Sequence, residues 1–322
     1  MAALPKLIII TGATATGKSA FIYRELAGLK LNIINADSRQ VYRNLRISSA
    51  GPDNNELKQF PHFLYHFQRE QDAFSAGEYV RLAKAAIEQS IAEGRVPLIC
   101  GGTYFYIQAL LGGLLPPIEI SDATRAKVDA LSGEAAYALL LAKDAVAAGR
   151  IHPHNIYRVK RALMVCVETG RPMSSIERTP GLADDFDILM LIFNGEREKL
   201  SGQIAGRVDK MFSAGLVEEV AKVFSDLAGY ADLARWKQFP ALTGIGVREF
   251  FELYEAEGVL PQNLSAAQSE QVRQNIIRNT QGLVKRQLTW FRNAPGKPAN
   301  TKTVDPAYEN ARIAALVKEF LS

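Results

Sequence analysis

The chain has 322 residues, 48% of them hydrophobic and 22% charged, with a formal net charge of +4. This is the composition of an ordinary soluble protein, long enough for one large or two smaller domains with a sizeable core. The mild positive balance permits a nucleic-acid partner without demanding one. The two cysteines, Cys100 and Cys166, lie far apart, which excludes a disulfide framework and argues against a thiolate metal site. They read as small buried hydrophobes in a reducing compartment.

The first segment, MAALPKLIII, has an apolar run too short for a signal peptide, and no stretch approaches the ~18–20 apolar residues of a membrane span. A cytoplasmic protein with no membrane partner is expected. Leu7–Ile10 reads as the first strand. It runs straight into Gly12-Ala13-Thr14-Ala15-Thr16-Gly17-Lys18-Ser19, followed by a helix-forming stretch from Ala20 to Ala27. Strand, G-x-x-x-x-G-K-[ST] and helix together make a phosphate loop. Gly12 and Gly17 let the backbone wrap an anion. The loop amides and the helix N-terminus aim partial positive charge at phosphate oxygens. Lys18 adds a full charge, and Ser19 offers a hydroxyl to Mg²⁺.

Leu31–Ala36 is a second strand ending at Asp37-Ser38, and Val96–Cys100 another ending at Gly101-Gly102-Thr103. Residues 116–187 open with Pro116-Pro117 and run through Ala- and Leu-rich amphipathic patterns such as Ser132–Ala148, with no clear strand. Ile188–Phe193 is a later strand, Ala294–Asn300 a loop of turn residues, and Pro306–Leu321 a short C-terminal helix. Apolar runs alternating with helical patterns argue for a parallel α/β sheet. Its active groups should lie beyond the strands' carboxyl ends, where Asp37, Thr103 and the phosphate loop stand. We expect a core in two parts, residues 1–115 and 188–322, separated by a mostly helical insertion over 116–187.

Gln271–Val304 holds seven Lys or Arg and no acid. Val272, Ile276, Leu283, Val284, Leu288 and Phe291 share one helical face, and Arg278, Lys285 and Arg292 form a basic stripe. The stripe is either a solvated face or a contact for phosphate backbone.

The loop implies a polyphosphate, not a particular one. The Asn-Lys-x-Asp guanine reader of a GTPase is absent, and the Val96–Cys100 strand lacks the terminal Asp of a typical ATPase. A small-molecule kinase stays open on these grounds. Further motifs are Asn35-Ala-Asp-Ser-Arg-Gln-Val-Tyr42, Gly101-Gly-Thr-Tyr104, IHPHNIYRVKRAL at 151–163 and KRQLTWFR at 285–292. With GATATGKS, in this order and spacing from about Leu7 to Arg292, the chain resembles the tRNA dimethylallyltransferase (tRNA isopentenyltransferase) family. The resemblance implies a P-loop nucleotide-kinase-like core with a parallel sheet flanked by helices and a helical insertion. It also implies transfer of a dimethylallyl group from dimethylallyl diphosphate to N6 of the adenosine 3′-adjacent to the tRNA anticodon.

On that reading the loop residues Gly12, Thr14, Ala15, Thr16, Gly17, Lys18 and Ser19 hold a diphosphate leaving group, not ATP, with Mg²⁺ on Ser19. Thr103 adds a hydrogen bond to it, and Arg207 matches the family's diphosphate-binding arginine. Adenine N6 is a poor nucleophile, its lone pair being delocalised into the ring, and Asp37 is the candidate base. A Mg²⁺-associated or capping role is the alternative for this carboxylate. The resemblance places tRNA contacts at Asp37, Ser38, Arg39 and Gln40. It adds Arg125, Tyr157, Arg158, Val159, Lys160 and Arg161, the run Thr243, Gly244, Ile245, Gly246, Val247 and Arg248, and Lys285, Arg286, Gln287 and Arg292. Gln40 can pair with an adenine edge. Anticodon-loop bases splay out cheaply, so a flipped adenosine is expected. No protein partner is expected, and the chain reads as a monomer.

His62, His66 and Glu70, at four-residue intervals, raise a zinc alternative that no cysteine cluster supports. The chain departs from the family pattern at four places. Ala13 stands where Pro is usual and His66 where Asp is usual. Ser48-Ser49-Ala50-Gly51-Pro52 replaces Gly-Thr-Ala-Lys-Pro, and Val247 replaces Tyr. Rival readings are an adenylate isopentenyltransferase acting on free AMP, a small-metabolite kinase, and a non-catalytic RNA-binding protein.

Overall fold

A computed structural model describes residues 3–229, 232–294 and 296–322. It divides into two compact units, one of Met1–Gly112 with Leu182–Ser322 and one of Gly113–Gly181.

The larger unit is built on six parallel strands: β1 (Lys6–Gly12), β2 (Leu31–Asn35), β3 (His62–Phe63), β4 (Val96–Gly101), β5 (Asp187–Phe193) and β6 (Thr301–Val304). Their order is β3-β2-β4-β1-β5-β6. The central β1 pairs Ile8–Thr11 with Leu98–Gly101 on one side and Lys6–Gly12 with Asp187–Phe193 on the other. Strands covered on both faces read as continuous apolar runs, and from Leu7 to Gly12 every residue of β1 is buried. One face packs Ile8, Ile10 and Leu191 against Phe21 and Ile22 of the Lys18–Glu25 helix and Ile313 and Val317 of the Pro306–Leu321 helix. A second core gathers Ile204, Val208, Phe250, Phe251, Val272, Ile276 and Val284. Those side chains come from helices Arg197–Ser213, Arg248–Glu257 and Ala266–Asn293.

The four expected strands are present: β1 is longer by three residues, β4 and β5 by one each, and β2 is shorter by one. β3 and β6 were not anticipated. β3 is two residues long, carried by Ile33 and Ile34 of β2, and β6 follows the 294–300 loop directly. Pro295 of that loop and the opening Met1-Ala2 lie outside the described residues. The first helix starts at Lys18 rather than Ala20.

The smaller unit holds helices Asp122–Asp129, Gly133–Lys143, Ala145–Arg150 and Ile156–Thr169 around Val128, Leu140, Val159, Leu163 and Cys166. Ser121, Ser132, Asp144 and Asn155 cap the four N-termini. Asp144 also accepts two hydrogen bonds from Ser174, so the Ser132–Ala148 stretch breaks there instead of forming one helix. The insertion was expected over 116–187, but the unit ends at Gly181. Leu182 and Ala183 already donate to the Leu110 and Leu111 carbonyls of the sheet unit. No helix of the described residues is long and apolar enough to cross a membrane.

Candidate active site

The phosphate loop leaves β1 at Gly12, whose φ of +142° and approach to the Phe193 carbonyl exclude any side chain. Ala15 holds φ +67°, a left-handed conformation uncommon outside glycine, which marks local strain at a binding loop. Thr16 Oγ1 donates to Ala13 O at 2.8 Å and braces the loop internally. Lys18 Nζ donates to Gly12 O at 3.0 Å and Ala13 O at 2.7 Å. Burial pulls the Lys18 ammonium down to about 8, with the Asp37 charge working to restore it and Arg207 to lower it further. The neighbouring Cys100 thiol is itself pushed up to about 11 by burial, so it stays neutral and inert.

Asp37 sits one residue beyond Ala36 at the carboxyl end of β2. Asn35 fixes it in place, accepting the Asp37 N–H at 2.8 Å and donating to the Asp37 and Leu64 carbonyls. Asp37 Oδ1 accepts the Arg39 N–H at 2.9 Å. The other oxygen lies over Gly102, where a Cβ would come within 3.8 Å of it. Asp37 shares a cavity of about 480 Å³ with Thr14, Thr103, Arg207, Arg248, Arg286 and Gln287, among others. Arg207 donates to Ser49 O at 3.4 Å; burial works against its charge and Asp37 supports it. Among the described residues, neither Lys18 nor Arg207 forms an ion pair with a carboxylate. Two desolvated cations without counter-ions beside one oriented carboxylate make a site for an anion.

The expected contact at Val159 needs correction, and other expected contacts already have partners within the chain. The Gln40 amide donates to Ser49 O at 3.2 Å and Ala50 O at 2.9 Å, so its N–H groups brace that loop instead of reaching toward a base. The Thr103 hydroxyl accepts the Ser38 N–H and donates to Ser38 Oγ, tying the β4 loop to the β2 loop. Val159 is fully buried in the helical unit's core and presents no side chain to RNA, and Gly246 is buried outside the lining of the Asp37 cavity. Thr243, Gly244, Ile245, Val247 and Arg248 line the Asp37 cavity. Arg125, Tyr157, Arg158 and Arg161 are exposed on the helical unit, while Lys160 donates to Asp129 O.

The Ala266–Asn293 helix serves two cavities. Arg286 and Gln287 face the Asp37 cavity. Lys285 and Arg292 face a different one of about 600 Å³ with Arg197 and Lys297. Gln287 Oε1 accepts the Thr14 N–H at 2.9 Å and its amide donates to Gly102 O at 3.3 Å, so this helix is pinned to the phosphate loop.

The histidines assemble no zinc site. They do not lie on a helix; His62 bonds Tyr23 OH, His66 bonds Tyr42 O, and Glu70 accepts from Asn44. Among the described residues no group of three or more His, Cys, Asp or Glu could hold a metal. That donor set suits Mg²⁺ only as a hard cation met by the exposed Ser19 hydroxyl, phosphate oxygens and water.

Two residues that shape the site gave no signal in the sequence. Glu219 accepts the Ile47 and Ser48 N–H groups at 2.7 and 2.9 Å and positions the loop that meets Arg207. Glu249, 1% exposed, accepts from Gly246 N–H, Asn279 and Arg248. Both look like solvated helix charges until their partners are known.

Residues 40–294 match the family model described as IPP transferase. The chain belongs to the IPP transferase family. A tRNA dimethylallyltransferase of Geobacter sulfurreducens is 37% identical over 295 residues, covering 90% of each chain. The crystal structure of a full-length tRNA isopentenylpyrophosphate transferase from Bacillus halodurans is 28% identical, with a TM-score of 0.66 over 98% of this chain and 96% of that one. A eukaryotic dimethylallyltransferase acting on tRNA has the same fold, with a TM-score of 0.78 at 21% identity over 98% of this chain and 79% of that one.

Proposed function

We propose that this chain is a tRNA dimethylallyltransferase. It transfers a dimethylallyl group from dimethylallyl diphosphate to N6 of the adenosine 3′ to the anticodon and releases diphosphate. The observation that carries this reading is the single cavity holding both Asp37 and Arg207, with the Lys18 charge coupled to both. A carboxylate there accepts the N6 proton as the N6–carbon bond forms. The carbon–oxygen bond breaks, and its electron pair leaves on the diphosphate, toward the loop amides, Lys18 and Arg207. Ser19 is placed to meet Mg²⁺, which when bound neutralises charge on the leaving diphosphate.

The arginines of the cavity suit the phosphates of an anticodon loop, where such contacts position the RNA. Taken by itself, the helical unit exposes Arg125, Arg158 and Arg161, which also suit RNA phosphate. We take the protein to act as a monomer in the cytoplasm. The test is an incubation with Mg²⁺, labelled dimethylallyl diphosphate and either unmodified tRNA or AMP. Label in tRNA supports the reading. Label in AMP alone moves the acceptor to a free nucleotide, and label in neither overturns prenyl transfer.

A further inference from the structure

Helix Tyr104–Gly112 is buried almost all round: Tyr104, Tyr106, Ile107, Ala109, Leu110 and Leu111 all point into the core. Phe105 breaks that pattern at 51% exposure. A lone exposed apolar side chain means little by itself. Phe105, however, is the only exposed large apolar side chain of the described residues that lines the Asp37 cavity. It follows Thr103 by two positions, so its ring stands at the carboxyl end of β4, beside the catalytic carboxylate's loop.

The cavity's surroundings indicate what the ring meets. Its lining carries Arg39, Arg207, Arg248 and Arg286 against a single acid, Asp37. That charge suits a polyanion. Trp290 lines the same cavity, but its ring is held edge-on by Tyr104 at 4.7 Å and 80°. Phe105 stacks on no ring of the described residues and keeps its face open.

We propose that Phe105 is a stacking platform for a nucleobase flanking the target adenosine. This rests on the tRNA reading above. Once the adenosine turns out of its stack toward Asp37, its neighbour loses a stacking partner, and an exposed aromatic face beside the cavity replaces it. Every base has such a face, so the contact strengthens RNA binding with little dependence on which base is present. Arginines along the same wall meet the intervening phosphates.

The experiment measures steady-state transfer to an anticodon stem-loop RNA by wild type, Phe105→Ala, Phe105→Leu and Phe105→Trp. Phe105→Ala should raise the KM for RNA about tenfold and leave the KM for dimethylallyl diphosphate unchanged. Phe105→Trp should stay near wild type, and Phe105→Leu, which keeps volume but not the ring face, should fall between. With 2-aminopurine beside the target adenosine, wild type should quench its fluorescence on binding and Phe105→Ala should not. An unchanged RNA KM in Phe105→Ala overturns the proposal, as does a rise confined to the donor KM, which would put the ring against the prenyl chain. Transfer by wild type with no Phe105 effect removes this inference alone. Absence of transfer by wild type removes the function reading with it.

Discussion

Gly51 and the His66 ring share one volume: a Cβ on Gly51 would collide with the imidazole Nε2 and Cε1 atoms. These are two of the places where the chain departs from the pattern that the resemblance implies, with Lys and Asp as the usual residues there. The departures are therefore coupled, with the missing side chain at 51 making room for the ring at 66. Gly51→Lys alone should destabilise the fold by about 1–3 kcal/mol through overpacking. The double variant Gly51→Lys/His66→Asp should recover most of that loss. Urea unfolding of the three proteins measures this, and additive effects would contradict the coupling.

His66 and His62 are both held below their ordinary range by burial, with backbone carbonyls at Tyr42 and Phe60 acting in the opposite sense. Arg46 also lowers His66. The unfolded chain takes up these protons near pH 6.5, while the folded chain resists until lower pH. Stability contributed by the neutral rings is therefore full above about pH 6.5 and is lost as pH falls below it. Thermal melts between pH 7.5 and 5 should show this slope, and His66→Gln should reduce it.

The Lys18 ammonium, pulled down to about 8, loses its charge in the free protein above that pH. Arginine stays charged throughout, so Lys18→Arg supplies the reference for the diphosphate's own ionisation. Between pH 7 and 9, diphosphate affinity of wild type should fall about tenfold relative to Lys18→Arg, by calorimetric titration. Parallel profiles would mean that Lys18 keeps its proton.

Glu249 is a buried anchor for the Thr243–Arg248 run. It holds the Gly246 N–H at 2.8 Å, Asn279 at 2.7 Å and Arg248 at 3.2 Å. Glu249→Ala leaves these donors unpaired and should cost about 1–3 kcal/mol of stability. Glu249→Gln keeps an acceptor and should cost less. Both should raise the KM for tRNA more than that for the donor.

The phosphate loop, the central strands and Asp37 at a strand end were legible in the sequence because each rests on a local pattern. An apolar run, fixed glycine spacing and an adjoining helix signal lie within 20 residues of one another. What escaped depends on partners distant in the chain. The two residues of β3 carry no strand pattern, and Ile33 and Ile34 across the ladder make them a strand. Gln40 looks free for a base until Ser49 and Ala50 are seen to hold it. Val159 sits within a basic run, yet its place on the helix turns it into the core. Phe105 reads as one more apolar residue in YFYIQALL, and only its exposure sets it apart.

The central claim is that Asp37 accepts the N6 proton while diphosphate leaves toward Lys18 and Arg207. The most direct test is single-turnover transfer from labelled dimethylallyl diphosphate to unmodified tRNA by wild type and Asp37→Asn. Dissociation constants for both substrates should be measured alongside. The account predicts a fall in rate of roughly 10²- to 10⁴-fold with both constants nearly unchanged. A wild-type rate in Asp37→Asn would contradict it.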